Sequence, residues 1–123
     1  AYFFNHPIQP LKQDRKDRIF QSFIFSLSQN FRTHHSVSFY AAEQCLTPRY
    51  FSTIVREKSG RNALQWIMMF IIAEAKKLLS DPDPSIKEIA ETLGFSNQSF
   101  FGRYFKQYVG LSPMAFRSSG AEE

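Results

Sequence analysis

The chain repeats itself. "YAAEQCLTPRYFSTIVREKSG" (residues 40–60) and "IAETLGFSNQSFFGRYFKQYVG" (residues 89–110) follow one plan. Ala41 and Ala90 are each followed six residues later by a hydroxyl side chain suited to capping a helix, Thr47 and Ser96. With one extra residue in the second copy, Phe51 aligns with Phe101, Val55 with Phe105, and Arg56 with Lys106. Gly60 then aligns with Gly110, and the caps Asn62 and Ser112 also correspond. A short helix, a tight turn and a longer helix, present twice, have the shape of two helix-turn-helix units. In the second copy the small Ala90 lets the two helices approach, and Gly94 permits the turn.

The rest of the chain reads as helix as well. Residues 1–11, with Pro7 and Pro10, are expected to be a linker or the end of a preceding domain. From about Lys12 to Phe31, Ile19, Phe20, Phe23, Leu27 and Phe31 recur at helical spacing. His34 and His35 follow in a loop and are expected to be solvated rather than metal ligands. A short helix is expected over 39–45 and a second over 48–59, with Thr47 as N-cap, Pro48 at the first helical position and Gly60 as C-cap. Asn62 caps a long helix over 63–80, which "DPDP" (81–84) ends. Ser85 and Glu88 form a capping box for a helix over 86–93. Ser96 is expected to cap a helix running to Gly110, and Ser112 with Pro113 starts a last helix through Arg117. No stretch alternates as a strand does, so the fold class is all-α.

The two longer helices of the repeat are two-faced. At about 100° per residue, Phe100, Phe101, Tyr104, Phe105 and Tyr108 gather on one side, opposite Gln98, Ser99, Gly102, Arg103 and Lys106. In the first copy Tyr50, Phe51, Ile54 and Val55 oppose Arg49, Ser52, Thr53 and Arg56. An ordinary solvated face mixes Glu with Lys, whereas the middle of these polar faces holds no acid. Arg and Gln are bidentate readers of guanine and adenine edges, Ser and Thr contact any base, and the Thr methyl can meet that of thymine. Arg56 and Lys106 lie further along, where phosphate is the expected contact. Each helix also directs its N-terminal amides at whatever it meets, which suits phosphate. Gly102, unfavourable inside a helix, is explained if the backbone must approach a groove floor closely.

Composition narrows the alternatives. A net charge of +4 at pH 7 favours an anionic partner, and the 14 Phe suggest a small core filled by rings. A single cysteine, Cys45, excludes an internal disulfide and a multi-cysteine zinc site, and it is expected to be a buried reduced thiol. The most apolar run, residues 63–73, is too short to span a bilayer. Neither a paired-carboxylate pattern nor a Gly-rich phosphate loop nor a metal-ligand cluster is present, so no enzyme, cofactor or metal is expected. The chain opens "AYFF" without an initiator Met and is expected to be part of a longer protein.

The segment "IKEIAETLGFSNQSFFGRYFKQYVGLSPMAFR" (86–117) resembles the signature of the AraC/XylS family of bacterial transcription regulators, and residues 40–60 look like that family's first helix-turn-helix. The resemblance covers about residues 15–119. It implies a DNA-binding domain over 12–123, homeodomain-like, with seven helices in two helix-turn-helix subdomains (about 38–60 and 85–110) joined by the long central helix 63–80. Each subdomain would place one recognition helix in the major groove. The central helix would span about 27 Å against about 34 Å for one turn of duplex, so the readers can meet successive groove segments. By position, Arg49, Ser52 and Thr53 of the first copy and Gln98, Ser99, Gly102 and Arg103 of the second would read bases. Thr47, Arg56, Asn97 and Lys106 would hold phosphate. The partners implied are operator or promoter DNA, RNA polymerase, and an effector-sensing or dimerising domain missing from this stretch. The location implied is the cytoplasm, away from membrane. Three positions depart from the family pattern: Gln44 for an aliphatic, Cys45 for a small residue or Gly, and Ile71 for an Arg. The alternative is a helical protein-interaction module without DNA binding.

Overall fold

The computed structural model describes residues 8–120, with side chains described from residue 14 onward. These residues form seven helices and no strand: α1 (Ile8–Asn30), α2 (Val37–Glu43), α3 (Pro48–Ser59), α4 (Ala63–Ser80), α5 (Ile86–Thr92), α6 (Gln98–Val109) and α7 (Pro113–Ser119). Residues 8–11, expected as linker, instead begin α1. Pro10 falls in the first helical turn, where its missing N–H has no intrahelical acceptor to satisfy. The remainder of that expected linker, residues 1–7, lies outside the described residues.

The chain divides into two compact units. The first holds α1 up to Gln29 together with Ser36–Trp66. Its core is Ile19, Phe23 and Leu27 of α1, Tyr40 and Ala41 of α2, and Phe51, Ile54 and Val55 of α3, all buried. Phe23 is its centre, meeting Tyr40 and Phe51 edge-on at centroid distances of 5.5 and 5.1 Å. Burial pushes the Tyr40 phenol up to about 12, with Glu43 adding to the effect.

The second unit holds Asn30–His35 and the chain from Ile67 onward. Ile67, Ile71, Ile72, Ala75 and Leu79 of α4 are buried there, as are Ile86, Ile89 and Ala90 of α5, Phe101 and Phe105 of α6, and Phe116 of α7. The rings form a chain: Phe95 to Phe101 at 5.2 Å, Phe101 to Phe105 at 5.9 Å, Phe105 to Phe116 at 5.6 Å. Ile71, which stands at the family's Arg position, is fully buried and so belongs to the core. Arg117 of α7 closes the end of α4 by donating to the Leu79 carbonyl (3.1 Å) and the Asp81 carbonyl (2.9 Å). Those carbonyls lack helical partners, and a cation at a helix C-terminus also suits the helix dipole.

The repeat holds in three dimensions with one change of register. The Leu46 and Phe95 N–H groups bond back to the Ala41 and Ala90 carbonyls at 3.0 and 2.9 Å, so the turns correspond up to these residues. The cap of α6 is not Ser96 but Asn97, whose side chain accepts from the Phe100 N–H. The extra residue of the second copy therefore sits in the turn, between Phe95 and Asn97. From Thr47 and Asn97 onward the copies run at a constant offset, which pairs Arg49 with Ser99, Ser52 with Gly102 and Thr53 with Arg103. The short helix expected over 39–45 starts earlier, at Val37, because Ser36 caps it by accepting from the Phe39 N–H.

Both turns pass through a left-handed residue, Cys45 at φ 60° and Gly94 at φ 82°. Gly94 needs this freedom twice over, because a Cβ there would run into the Arg32 carbonyl oxygen. Cys45 adopts the same conformation with a side chain, and it is exposed rather than buried. The neighbouring Gln44 donates from Nε2 to the Ile19 carbonyl at 3.4 Å, which gives its amide a use that an aliphatic could not fill. His35 is not solvated: its ring is half-buried, packs at a tilt against Phe95 at 4.9 Å and bonds the Leu93 carbonyl at the end of α5.

Candidate nucleic-acid interface

Each longer helix of the repeat begins at a side-chain cap. In α3, Thr47 Oγ1 accepts from the Tyr50 N–H at 3.2 Å. In α6, Asn97 Oδ1 accepts from the Phe100 N–H at 2.8 Å. The Thr47 hydroxyl proton and the Asn97 amide protons therefore remain available as donors at the helix starts, as a phosphate contact requires.

The polar faces lie outward. On α3, Arg49, Thr53 and Arg56 are exposed and Ser52 is half-buried. Thr53 Oγ1 donates to the Arg49 carbonyl at 3.0 Å, so outward it offers acceptor lone pairs and a methyl rather than a donor. Arg49, Ser52, Thr53 and Arg56 share a shallow groove of about 480 Å³ with Val37, Pro48, Asn62 and Leu64. On α6, Gln98, Ser99, Arg103 and Lys106 are exposed. Between them, a Cβ added to Gly102 would have no atom within 4 Å, so this position is small without being crowded by the protein.

Charge is arranged to leave these faces positive. There is no acid in α6. The Glu57 carboxylate of α3 is taken by Lys16 of α1 at 3.0 Å, which also holds the Lys16 ammonium above its usual range. Asp17 pairs with Lys58 at 2.7 Å, and Arg32 pairs with Glu74. Among the described residues, Arg49, Arg56, Arg103 and Lys106 take part in no such ion pair. Burial, with Tyr108 adding, pushes the Tyr104 phenol well above its usual range, so it brings no negative charge to α6 near neutral pH.

Three residues expected on the apolar sides, Tyr50, Phe100 and Tyr108, are exposed rather than buried. Tyr50 is 51% exposed and Phe100 46% exposed, while Phe51, Phe101 and Phe105 are fully buried. Tyr50 and Phe100 occupy the same register position. The Arg103 guanidinium lies over the Phe100 ring, 6.0 Å from its centroid. That pairing was not legible as a contact in the sequence, although the three-residue spacing permits it. Among the described residues, no group of three or more His, Cys, Asp or Glu could hold a metal ion, and no helix is long and apolar enough to cross a membrane.

Comparison with known proteins supplies a context for these faces. Residues 40–119 match a family model described as a helix-turn-helix domain. The arabinose operon regulatory protein of Escherichia coli (strain K12) is 37% identical over 83 residues, which cover 68% of this chain and 28% of the relative. Its counterpart in Salmonella typhimurium (strain LT2) is 34% identical over 86 residues, covering 70% of this chain and 31% of the relative. The chain thus spans less than a third of the length of these relatives. Among solved structures, the DNA-binding domain of AdpA, a global transcriptional factor crystallised with a target DNA, superposes with a TM-score of 0.70 at 26% identity. The match covers 81% of this chain and 90% of that one.

Proposed function

The chain belongs to the AraC-type helix-turn-helix family, and from that premise we propose that it is the part of a bacterial transcription regulator that binds double-stranded DNA by sequence. The observation that carries this reading is the α6 face, where Gln98, Ser99, Arg103 and Lys106 are exposed around the side-chain-free Gly102 in a helix without an acid. Arg103 and Gln98 have the bidentate geometry for guanine and adenine edges, and Ser99 is a flexible third reader. Gly102 lets the backbone approach the groove floor. The α3 face repeats the arrangement with Arg49, Ser52 and Thr53, where the small Ser52 stands in place of Gly102. Thr47, Arg56, Asn97 and Lys106 hold phosphate and set register rather than sequence.

The two readers take successive major-groove segments, with α4 between them in the chain. A sensing or dimerising domain accompanies this part in the whole regulator, RNA polymerase meets the DNA-bound complex, and the protein works in the cytoplasm. Its relatives include arabinose operon regulatory proteins, which favours a regulatory over a catalytic role. AdpA, a structural neighbour crystallised with a target DNA, supports the reading.

The test is selection of bound duplexes from a random pool at defined salt. Two short conserved blocks about one helical turn apart are expected. A pool that yields no preferred sequence would exclude base reading and leave only an interaction module.

A further inference from the structure

We propose that Phe100 is a specificity-determining residue acting as a pair with Arg103, and that the pair selects a guanine whose neighbouring pyrimidine carries a 5-methyl group, a thymine in ordinary DNA. This rests on the DNA-reading proposal above and names what one part of that face recognises.

The fold leaves Phe100 half out of the core. Phe101 and Phe105 are fully buried, whereas Phe100 keeps 46% of its surface exposed. It is nevertheless held in place. Phe95, itself 6% exposed, packs edge-on against it at 5.7 Å. One turn further along α6, the Arg103 guanidinium rests over its ring at 6.0 Å. The ring is anchored to the core through one neighbour and carries a cation through another.

This arrangement has chemical consequences. A guanidinium lying over an aromatic face is steadied by the ring quadrupole, while its N–H donors radiate in its own plane. Those donors stay available for the O6 and N7 acceptors of guanine. The exposed part of Phe100 then lies beside the guanine site, where the next base pair presents its major-groove edge. A phenyl group placed against cytosine N4–H₂ or a purine N7 would strip water from a polar group and offer no hydrogen bond. Thymine alone presents a methyl there, and apolar contact between that methyl and the ring is favourable.

The first copy serves as an internal contrast. Tyr50 occupies the same register position in α3 and is 51% exposed. The residue matching Arg103 is Thr53, whose hydroxyl is turned to the Arg49 carbonyl. Among the described residues no cation lies over the Tyr50 ring, so the guanine-and-methyl pair belongs to α6.

The experiment uses the 123-residue chain and its selected duplex. Each thymine next to a guanine is replaced in turn by deoxyuridine, which differs only by the missing methyl. At one such position the unaltered protein should lose about fourfold in affinity, the effect of returning one methyl to water. Phe100→Ala should bind the thymine and deoxyuridine duplexes equally, and Tyr50→Ala should keep the difference. The ratio is taken within each protein, so it does not depend on how much of a variant is folded. The proposal is overturned if the unaltered protein is indifferent to every thymine-to-deoxyuridine change, or if Phe100→Ala keeps the difference. A pool with no preferred duplex would overturn the DNA-reading proposal itself, a separate outcome that is visible before any deoxyuridine is made.

Discussion

The Nε2 of His35 donates a 2.8 Å hydrogen bond to the carbonyl of Leu93, the residue that ends α5 and precedes the Gly94 turn. The connector after α1 is thereby tied to the turn of the second helix-turn-helix. Burial of the ring lowers the His35 pKa, and the carbonyls of Leu93 and Phe31 oppose that effect without overcoming it. The fold therefore favours the neutral imidazole. An unfolded His takes up a proton near pH 6.5, so below that pH the unfolded chain binds more protons than the folded one. The His35 contribution to stability is thus complete above about pH 6.5 and is lost as the pH falls through the lowered folded value. Urea unfolding at pH 7.5 and 5.5 should show lower stability at 5.5, and His35→Gln should show a smaller difference. An equal difference in both proteins would place the pH dependence elsewhere.

The paired left-handed turns predict opposite responses to substitution. Cys45→Gly removes a side chain from a conformation that costs most residues about 1–2 kcal/mol. After the added freedom of the unfolded chain is subtracted, it should stabilise the protein by about 0.5–1 kcal/mol. Gly94→Ala adds a Cβ against the Arg32 carbonyl at a positive φ and should destabilise by at least about 1–3 kcal/mol. Thermal unfolding of the two variants checks this. Similar effects of the two would mean that the turns do not impose the backbone they share here.

Gly102 separates the demands of folding from those of binding. A methyl at this position meets no protein atom within 4 Å, so Gly102→Ala should stabilise α6 by about 1 kcal/mol. If the backbone approaches the groove floor there, the same change should weaken DNA binding. Melting temperature and duplex affinity should thus move in opposite directions. A more stable variant with intact affinity would show that close approach is not required.

Much of the architecture was legible because local rules carried it. The limits of α3 and α4, the C-caps at Gly60 and Gly110 and the Ser85–Glu88 capping box all follow from residue types at short spacing. The α6 cap was harder because Ser96 and Asn97 are both good capping residues. Choosing between them needs the position of the extra turn residue, which the backbone bond from Phe95 to Ala90 reveals. The role of His35 was hidden for a different reason, since its partner Leu93 lies 58 residues away. Phe100, Tyr108 and Tyr50 were grouped with the apolar sides because angular position alone does not say where an apolar stripe ends. The start of α1 was missed because Pro10 reads as a breaker until its place in the first turn is known.

The central claim is that α6 reads base sequence while Lys106 grips the backbone. Its most direct test is affinity for the selected duplex and a scrambled one, across a range of salt, for the unaltered chain, Arg103→Ala and Lys106→Ala. Arg103→Ala should lose about 1–3 kcal/mol on the selected duplex, much less on the scrambled one, and relax preference at one base pair. Lys106→Ala should weaken both duplexes about equally and lower the salt slope by about one. Equal losses from Arg103→Ala on the two duplexes, with no relaxed position, would contradict the account.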